Sequence, residues 1–204
     1  MQLNWAMFDR LSTIDSKYTH DVVSVIEHEK IKTEKWWKES LIFDGAFDQN
    51  WGDEMVQMFE KWRDVSAPSL LEIFCAGYKS LEIDRAHKLF PVVLTACVLG
   101  SVQTRNTYHN HHHFREVFCL LCKMIRVHNS LSISPLEKLT QDDVLLLVIA
   151  VCIHDFAHDG QGNIIEGTHI PSRLEKRSVD RALPFLVSMG LSDYHAEQIR
   201  MMVV

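Results

Sequence analysis

Hydrophobic residues along this chain recur mostly three and four positions apart, the spacing that gives an α-helix one apolar face. In the segment DEMVQMFEKWRDV, which starts at Asp53, apolar side chains stand at positions 55, 56, 59 and 62 behind acidic residues in the first turn. No segment alternates convincingly between apolar and polar residues, as a half-buried β-strand would. The pattern therefore predicts an all-α fold, a compact multi-helix domain.

The same spacing predicts further helices toward the C-terminus. Ser69 can cap the helix in LLEIFCAGYKSLEI, and acidic residues open DDVLLLVIAVCIHD. Other helices are predicted in LFPVVLTACVLGSVQ, VFCLLCKMIRV, EKRSVDRALPFLVSMG and SDYHAEQIRMMVV. All five tryptophans lie in the first 62 residues, so residues 1–50 are predicted to be a separate N-terminal helical segment of unknown role and residues 51–204 the main domain. The sequence stops at Val204 within a predicted helix, so we expect a further C-terminal part.

Composition excludes several classes of protein. The 204 residues are 47% hydrophobic and 24% charged, which is typical of a globular domain. Acidic residues outnumber basic ones by 27 to 21 without a basic cluster, which argues against a nucleic-acid partner. The longest apolar run, residues 144–153, is too short to span a membrane. The chain lacks a signal-like start, and its five cysteines, including the Cys119-x-x-Cys122 pair, lie in apolar helical patterns. We therefore expect a cytoplasmic protein with reduced, buried thiols.

Chemistry-bearing side chains are concentrated in two segments. TYHNHHHFRE, residues 107–116, carries four histidines between apolar flanks, so it belongs to the fold and is not a tag. His109 and His113 are expected to lie one helical turn apart and to share a face. His112 is also three residues from His109, so spacing alone leaves open which histidine points inward.

The second segment is AVCIHDFAHDGQGN, residues 150–163. A nearly continuous apolar helix delivers His154 and Asp155 at its C-terminal end, and Gly160 then allows the chain to turn. A carboxylate at a helix C-terminus beside a buried run is unfavourable without a cation, and no lysine or arginine stands within ten residues. Because imidazole and carboxylate are ordinary ligands of divalent metals, the two segments together predict a metal site.

These residues carry a family resemblance. TYHNHHHFREV resembles the Tyr-His-Asn-x-x-His signature of class I 3′,5′-cyclic nucleotide phosphodiesterases, a branch of the HD superfamily. HDFAHDGQGN is similar to that family's His-Asp-x-x-His-x-Gly-x-x-Asn, and RLEKRSVDRALPFL to a later segment that contains a glutamate. The resemblance covers roughly residues 70 to 204. It implies the helical HD phosphodiesterase fold, with residues 51–204 as a partial catalytic domain.

The resemblance also implies a ligand set for two divalent metals. His113, His154 and Asp155 would ligate a tightly held zinc, and Asp155 would bridge to a second ion, magnesium or manganese. His158 and Glu175 would hold water around that second ion. The two ions would bind the phosphodiester and generate a hydroxide nucleophile from water.

The family's remaining roles fall on the first segment and on the end of the second. His109 would be the general acid that protonates the leaving 3′ oxygen, a task that suits the pKa of histidine. Tyr108 and Asn110 would shape the same turn, and Tyr108 and Asn163 would contact substrate. The implied activity is hydrolysis of cAMP, cGMP or both to 5′-nucleotides, with the preference between them left open.

The chain departs from the family pattern at several positions. Ala157 stands where the family has an aspartate, and Phe114-Arg115-Glu116 stands where it has Ala-x-Asp. The family's fourth metal ligand and its base-binding glutamine would lie beyond Val204, so the chain alone is expected to be a poor catalyst and to expose an apolar face for self-association or a partner protein. Two alternatives remain: another HD-type phosphohydrolase, and a catalytically impaired helical scaffold of the same fold.

Overall fold

The structure is a computed structural model that describes residues 39–46, 49–64, 67–102 and 108–204. Helices account for nearly all of its regular structure, so the all-α prediction is confirmed. The α-helices of this part are α1 (Glu39–Phe43), α2 (Trp51–Asp64), α3 (Leu70–Gly77), α4 (Phe90–Gly100), α5 (His111–Leu131), α6 (Gln141–Ile153), α7 (Arg173–Ser188) and α8 (Asp193–Val203). A 3-10 turn, Pro135–Glu137, joins α5 to α6. None of the helices that the structure describes is both long and apolar enough to cross a membrane.

Side-chain caps fix where several helices begin. Ser69 accepts a hydrogen bond from the backbone of Glu72, whose carboxylate accepts one from the backbone of Ser69, as the sequence predicted for α3. Thr140 and Asp143 form the same reciprocal pair at the start of α6. These caps satisfy backbone groups that the first helical turn leaves without partners. Residues within one helical turn therefore determine where α3 and α6 begin.

Helix α6 lies at the centre of the core. It contacts α4, α5, α7 and α8, and its side chains are buried from Val144 to Ile153 except for the partly exposed Leu147 and Val151. A helix that is apolar on every side is stable only when other helices cover it. Packing on several sides thus fixes the direction in which the C-terminal end of α6 points, where the metal-site motif begins.

Close approach of α4 to α6 depends on Gly100. A Cβ atom at this position would stand 2.5 Å from the carbonyl oxygen of Cys152 and 2.7 Å from Cδ1 of Leu70. Real Cβ atoms do not approach a backbone oxygen so closely, so any larger residue has to push the two helices apart.

Replacing Gly100 with alanine is therefore expected to destabilise the fold. Overpacking against a backbone group costs about 2 kcal/mol, which corresponds to a Tm lower by about 4–8 °C for a domain of this size. Thermal unfolding followed by circular dichroism measures the change. Gly52→Ala is the matched control, because a Cβ at Gly52 meets no atom within 4 Å. Equal Tm values for the two variants would contradict the packing argument.

Four of the five cysteines, Cys97, Cys119, Cys122 and Cys152, are fully buried, and none of these four forms a disulfide. The predicted reduced, buried thiols are confirmed for them, including the CxxC pair on α5, whereas Cys75 is partly exposed. Burial raises the pKa of the Cys119 and Cys122 thiols far above their ordinary value, so these side chains remain protonated core residues.

A small hairpin is an element that the sequence did not predict. Strands β1 (Ile164–Ile165) and β2 (Thr168–His169) pair antiparallel around Glu166 and Gly167, whose φ angles are 48° and 81°. Two consecutive positive φ values form the tight turn that matches the twist of a hairpin. Two-residue strands are too short to show alternation, so pattern analysis passes over them.

The expected N-terminal segment, residues 1–50, lies largely outside the described residues. In the part that is described, Leu41, Ile42 and Phe43 of α1 are buried, and α1 contacts α5. Exposed large apolar side chains lie on several elements, among them Leu120, Met124 and Leu131 of α5 and Met201 and Met202 of α8. The predicted association through an apolar face stays a prediction.

Candidate metal centre

The first histidine segment is organised by Asn110. The side-chain oxygen of Asn110 accepts hydrogen bonds from the backbone of His112 at 2.9 Å and of His113 at 3.3 Å, and α5 therefore begins at His111. The expectation that His109 and His113 share one helical face is wrong, because His109 precedes the cap. Their rings nevertheless lie edge to face with centroids 5.6 Å apart.

Of the three histidines on the first turn of α5, only His113 points at the second motif. The rings of His111 and His112 contact each other at a tilt of 40°, with centroids 4.1 Å apart. Burial, followed by the positive charges of Arg115 and His112, lowers the pKa of His111 to about 4. The structure thereby resolves which histidine turns inward, a question that spacing left open.

His113, His154 and Asp155 converge although 41 residues separate the two histidines. The Nε2 atoms of His113 and His154 are 3.3 Å apart, and they lie 3.4 Å and 3.0 Å from Oδ2 of Asp155. One ligand atom from each residue lies within 4.8 Å of the other two, close enough for one ion to bind all three. Asp155 is buried, so water does not screen its charge strongly.

The orientation of His154 fits a metal ligand. Its Nδ1 lies 2.7 Å from the carbonyl oxygen of Val151 and can only donate to it, which leaves Nε2 facing His113 and Asp155. A backbone carbonyl behind a ligating histidine is a common feature of metal sites.

His109 and His158 form a second group with Asp155. Nδ1 of His109 lies 2.6 Å from the same Oδ2 atom of Asp155, and the rings of His109 and His158 are nearly parallel with centroids 4.1 Å apart. His109, Asp155 and His158 also lie close enough together to hold an ion. Asp155 is thus common to both groups.

The tautomer of His158 favours a donor role over direct coordination. The backbone N–H of Gly160 donates to Nδ1 of His158 at 2.9 Å, so the neutral ring carries its proton on Nε2. Burial and the charge of His109 lower the pKa of His158, which favours that neutral form. His158 therefore fits a residue that holds water or another oxygen at the centre better than a residue that binds the ion itself.

Charge within the centre is balanced among buried groups. Burial alone would raise the pKa of Asp155, but hydrogen bonds and charges from His154 and His109 outweigh it and hold that pKa well below its ordinary value. Burial alone would lower the pKa of His154, but the hydrogen bond and charge of Asp155 and the charge of Glu175 raise it. Burial and the charge of His154 lower the pKa of His113. Asp155 is thus an ionised carboxylate that is ready to bind a cation.

Comparison of the chain with protein-family models, with curated proteins and with solved structures gives no match. The fold and the geometry of the site therefore carry the functional argument.

Glu175 lies in the first turn of α7 and is brought to the centre. Its negative charge acts on His154, and its Oε2 atom is buried without a hydrogen-bond partner among the residues that the structure describes. A buried carboxylate oxygen without a donor is unfavourable. Water around a bound cation would satisfy it, which fits the role that the resemblance implies.

Tyr108 and Asn163, the two predicted substrate contacts, have different surroundings. The ring of Tyr108 is 68% exposed and packs against His113 with centroids 4.9 Å apart, so it borders the centre and faces solvent. The side-chain oxygen of Asn163 accepts from the backbone of Leu174 at 3.3 Å, and its carbonyl accepts from Ile170 at 2.8 Å. In this structure Asn163 anchors the hairpin to the start of α7.

Three charged residues beside the centre carried no recognisable sequence signal. Arg173 and Arg177 of α7 form ion pairs with Asp159, which directly follows His158. Hydrogen bonds from Arg173 are the main cause that lowers the pKa of Asp159 to about 2. Arg173 and Arg177 lie 14 and 18 residues from Asp159 in sequence, so only the folded loop brings the three residues together.

Proposed function

We propose that this chain carries the metal-dependent centre of a phosphodiester hydrolase, with 3′,5′-cyclic nucleotides, cAMP or cGMP, as substrates. The observation that carries the proposal is that two histidine pairs, His113 with His154 and His109 with His158, converge on Asp155. The two motifs that supply these residues resemble those of class I cyclic nucleotide phosphodiesterases in order and spacing.

The residues present fit zinc in one position and magnesium or manganese in the other. Two imidazole nitrogens and a carboxylate oxygen, from His113, His154 and Asp155, are the ligand types that zinc prefers. The second ion would lie between Asp155, His158 and Glu175, where a donor and an acceptor can hold its water. When bound, the two ions would polarise the phosphate and make an attacking water more acidic.

We assign the transfer of a proton to His109. Asp155 accepts a hydrogen bond from Nδ1 of His109 at 2.6 Å, so the carboxylate orients the ring. Nε2 on the opposite side of the ring is then the atom that can donate. During hydrolysis a water oxygen bonds to phosphorus and releases a proton, the P–O3′ bond breaks, and the proton from Nε2 of His109 goes to O3′.

Two other functions fit the same centre. An HD-type phosphohydrolase with a different phosphoester substrate needs the metal ligands but not a histidine acid at position 109. The other is a scaffold that binds metal without turnover. The group of His109, Asp155 and His158 favours it, because His109 lies close enough to the other two residues to be a third ligand. Metal content and substrate range separate these functions.

The proposal predicts that the full-length protein, purified without chelators, contains about one zinc per chain and needs added magnesium or manganese for activity. Metal content is measured by inductively coupled plasma mass spectrometry. Hydrolysis is measured with cAMP, cGMP and bis(p-nitrophenyl) phosphate. Hydrolysis restricted to non-cyclic phosphoesters would support the alternative hydrolase. Bound metal without hydrolysis would support the scaffold, and a protein that binds no divalent metal would refute all three functions.

A further inference from the structure

Asp159, Arg173 and Arg177 form an ion-pair clamp over the loop that carries His158. Nη1 and Nη2 of Arg173 each donate to one carboxylate oxygen of Asp159 at 2.9 Å. This two-point contact fixes the orientation of both planar groups. Only 15% of the Arg173 side chain and 18% of that of Asp159 are exposed, so solvent screens the pair only in part.

The same two arginines also hold the backbone at both ends of the loop. Nε and Nη2 of Arg173 donate to the carbonyl oxygen of Gly162 at 3.0 Å and 2.8 Å. Nε of Arg177 donates to the carbonyl oxygen of Ala157 at 3.2 Å, and its Nη1 lies 3.6 Å from Asp159. Because residues four apart lie on one helical face, α7 presents both side chains to the loop together.

The loop needs such support because its backbone is unusual. Ala157, Gly160 and Gly162 have φ angles of 59°, 77° and 70°. Glycine adopts these values freely, but Ala157 carries a Cβ that disfavours this conformation. A residue keeps such a conformation only where its surroundings enforce it. Arg177 bonds directly to the carbonyl oxygen of Ala157, immediately before His158.

His158 is the functional side chain that this loop positions. It lies between Ala157 and Asp159, and its Nδ1 accepts from Gly160. The clamp thus fixes the backbone on both sides of His158 and the N–H group that sets its tautomer. Asp159 also neutralises two guanidinium groups that would otherwise repel a divalent cation nearby.

We propose that Asp159, through Arg173 and Arg177, is a positioning residue for the second divalent ion, because it holds His158 and the Glu175-bearing start of α7 in place around it. This inference rests on the proposed two-metal centre. It gives Asp159, Arg173 and Arg177 a supporting role that differs from the roles of the metal ligands and of the general acid.

The test compares Asp159→Asn with Asp180→Asn. Asp180 pairs with Arg200 at 2.7 Å and links α7 to α8 on the exposed surface, so it is a matched Asp–Arg pair away from the centre. Each protein is loaded with one equivalent of zinc and titrated with Mn²⁺, followed by electron paramagnetic resonance. Loss of a supporting partner typically weakens metal affinity about 10- to 100-fold. We expect Asp159→Asn to weaken Mn²⁺ binding by at least about tenfold, with zinc content unchanged, and Asp180→Asn to have no effect.

A second variant separates geometry from charge. Arg173→Lys keeps the positive charge but loses the two-point contact and the bonds to Gly162. Positioning predicts weaker Mn²⁺ binding for this variant too. If Arg173→Lys binds Mn²⁺ like the wild type, or if Asp159→Asn does so, the proposal is overturned. Parallel loss of zinc and of thermal stability in both variants would also overturn it, because the clamp would then support the fold as a whole.

A metal-free readout distinguishes failure of the clamp from failure of the proposed function. Long-range ¹H–¹⁵N spectra report histidine tautomers, and the His158 signal is assigned by its disappearance in His158→Gln. We expect a single Nε2–H tautomer in the wild type and in Asp180→Asn, and a mixture of tautomers in Asp159→Asn. If the wild type shows this tautomer but binds no Mn²⁺, the two-metal function fails and with it the role of Asp159 at the second ion. An unchanged tautomer in Asp159→Asn would refute the positioning of His158 by the clamp.

Discussion

Replacing Asp155 with asparagine is expected to reduce bound metal to background and to reduce hydrolysis more than about a hundredfold, since loss of a direct ligand exceeds the effect of losing a supporting partner. One oxygen of Asp155, Oδ2, lies within 3.4 Å of nitrogen atoms of His109, His113 and His154. The amide keeps the size of the side chain but removes the charge that balances a cation. Asp155 belongs to both groups that can hold an ion, so both positions are expected to lose affinity.

The matched control for this change is Asp142→Asn. Asp142 is also an aspartate among histidines, with His87 Nε2 at 2.7 Å and His195 Nε2 at 3.6 Å, but it is not part of either group that can hold an ion. Mass spectrometry of the purified variants measures zinc per chain, and circular dichroism confirms that each is folded. Full metal content in a folded Asp155→Asn protein would show that the centre lies elsewhere.

Replacing His109 with alanine is expected to reduce turnover of the full-length protein by roughly a hundredfold or more while zinc content stays unchanged. His109 touches Asp155 through Nδ1, and its side chain is more exposed than that of Asp155, at 34% against 10%. Under the proposed function, a group in this position would meet the leaving oxygen and would not enclose the zinc. Removing a general acid raises the barrier of the chemical step without affecting ligand atoms.

The measurement pairs kcat with metal content, and His169→Ala serves as the control because His169 is an exposed histidine on β2. Added imidazole should restore part of the lost activity, since it can occupy the space that the side chain leaves. Stoichiometric loss of a metal from His109→Ala would instead identify His109 as a ligand of the group that includes His158. Unchanged turnover would remove the general-acid role.

Local sequence was sufficient to predict most of the helices and the candidate metal ligands, although the helix predicted in LLEIFCAGYKSLEI ends at Gly77. Apolar spacing of three and four residues, with caps such as Ser69, determines helices through interactions within a few residues. The apolar run of α6 also made the placement of His154 and Asp155 at its end predictable. No nearby lysine or arginine could balance that carboxylate, and this indicated a cation before any contact was known.

Only the tertiary structure decided which side chains meet. Asn110 starts α5 after His109, so the cap rather than helical spacing determines how His109 reaches Asp155. Lys123 is buried and donates to the carbonyl oxygen of Ala46, 77 residues away, although its position in an apolar segment does not indicate a partner.

The clamp over the His158 loop likewise depends on contacts between distant segments. Arg177 supports the left-handed backbone at Ala157, and no local preference predicts either the conformation or its partner. The periodicity of apolar residues reflects local backbone preference and burial. It therefore locates the helices, and with them the candidate ligands at helix ends. Ion pairs and backbone contacts across long sequence separations form only after the helices pack, and they fix the angles and tautomers on which the chemistry depends.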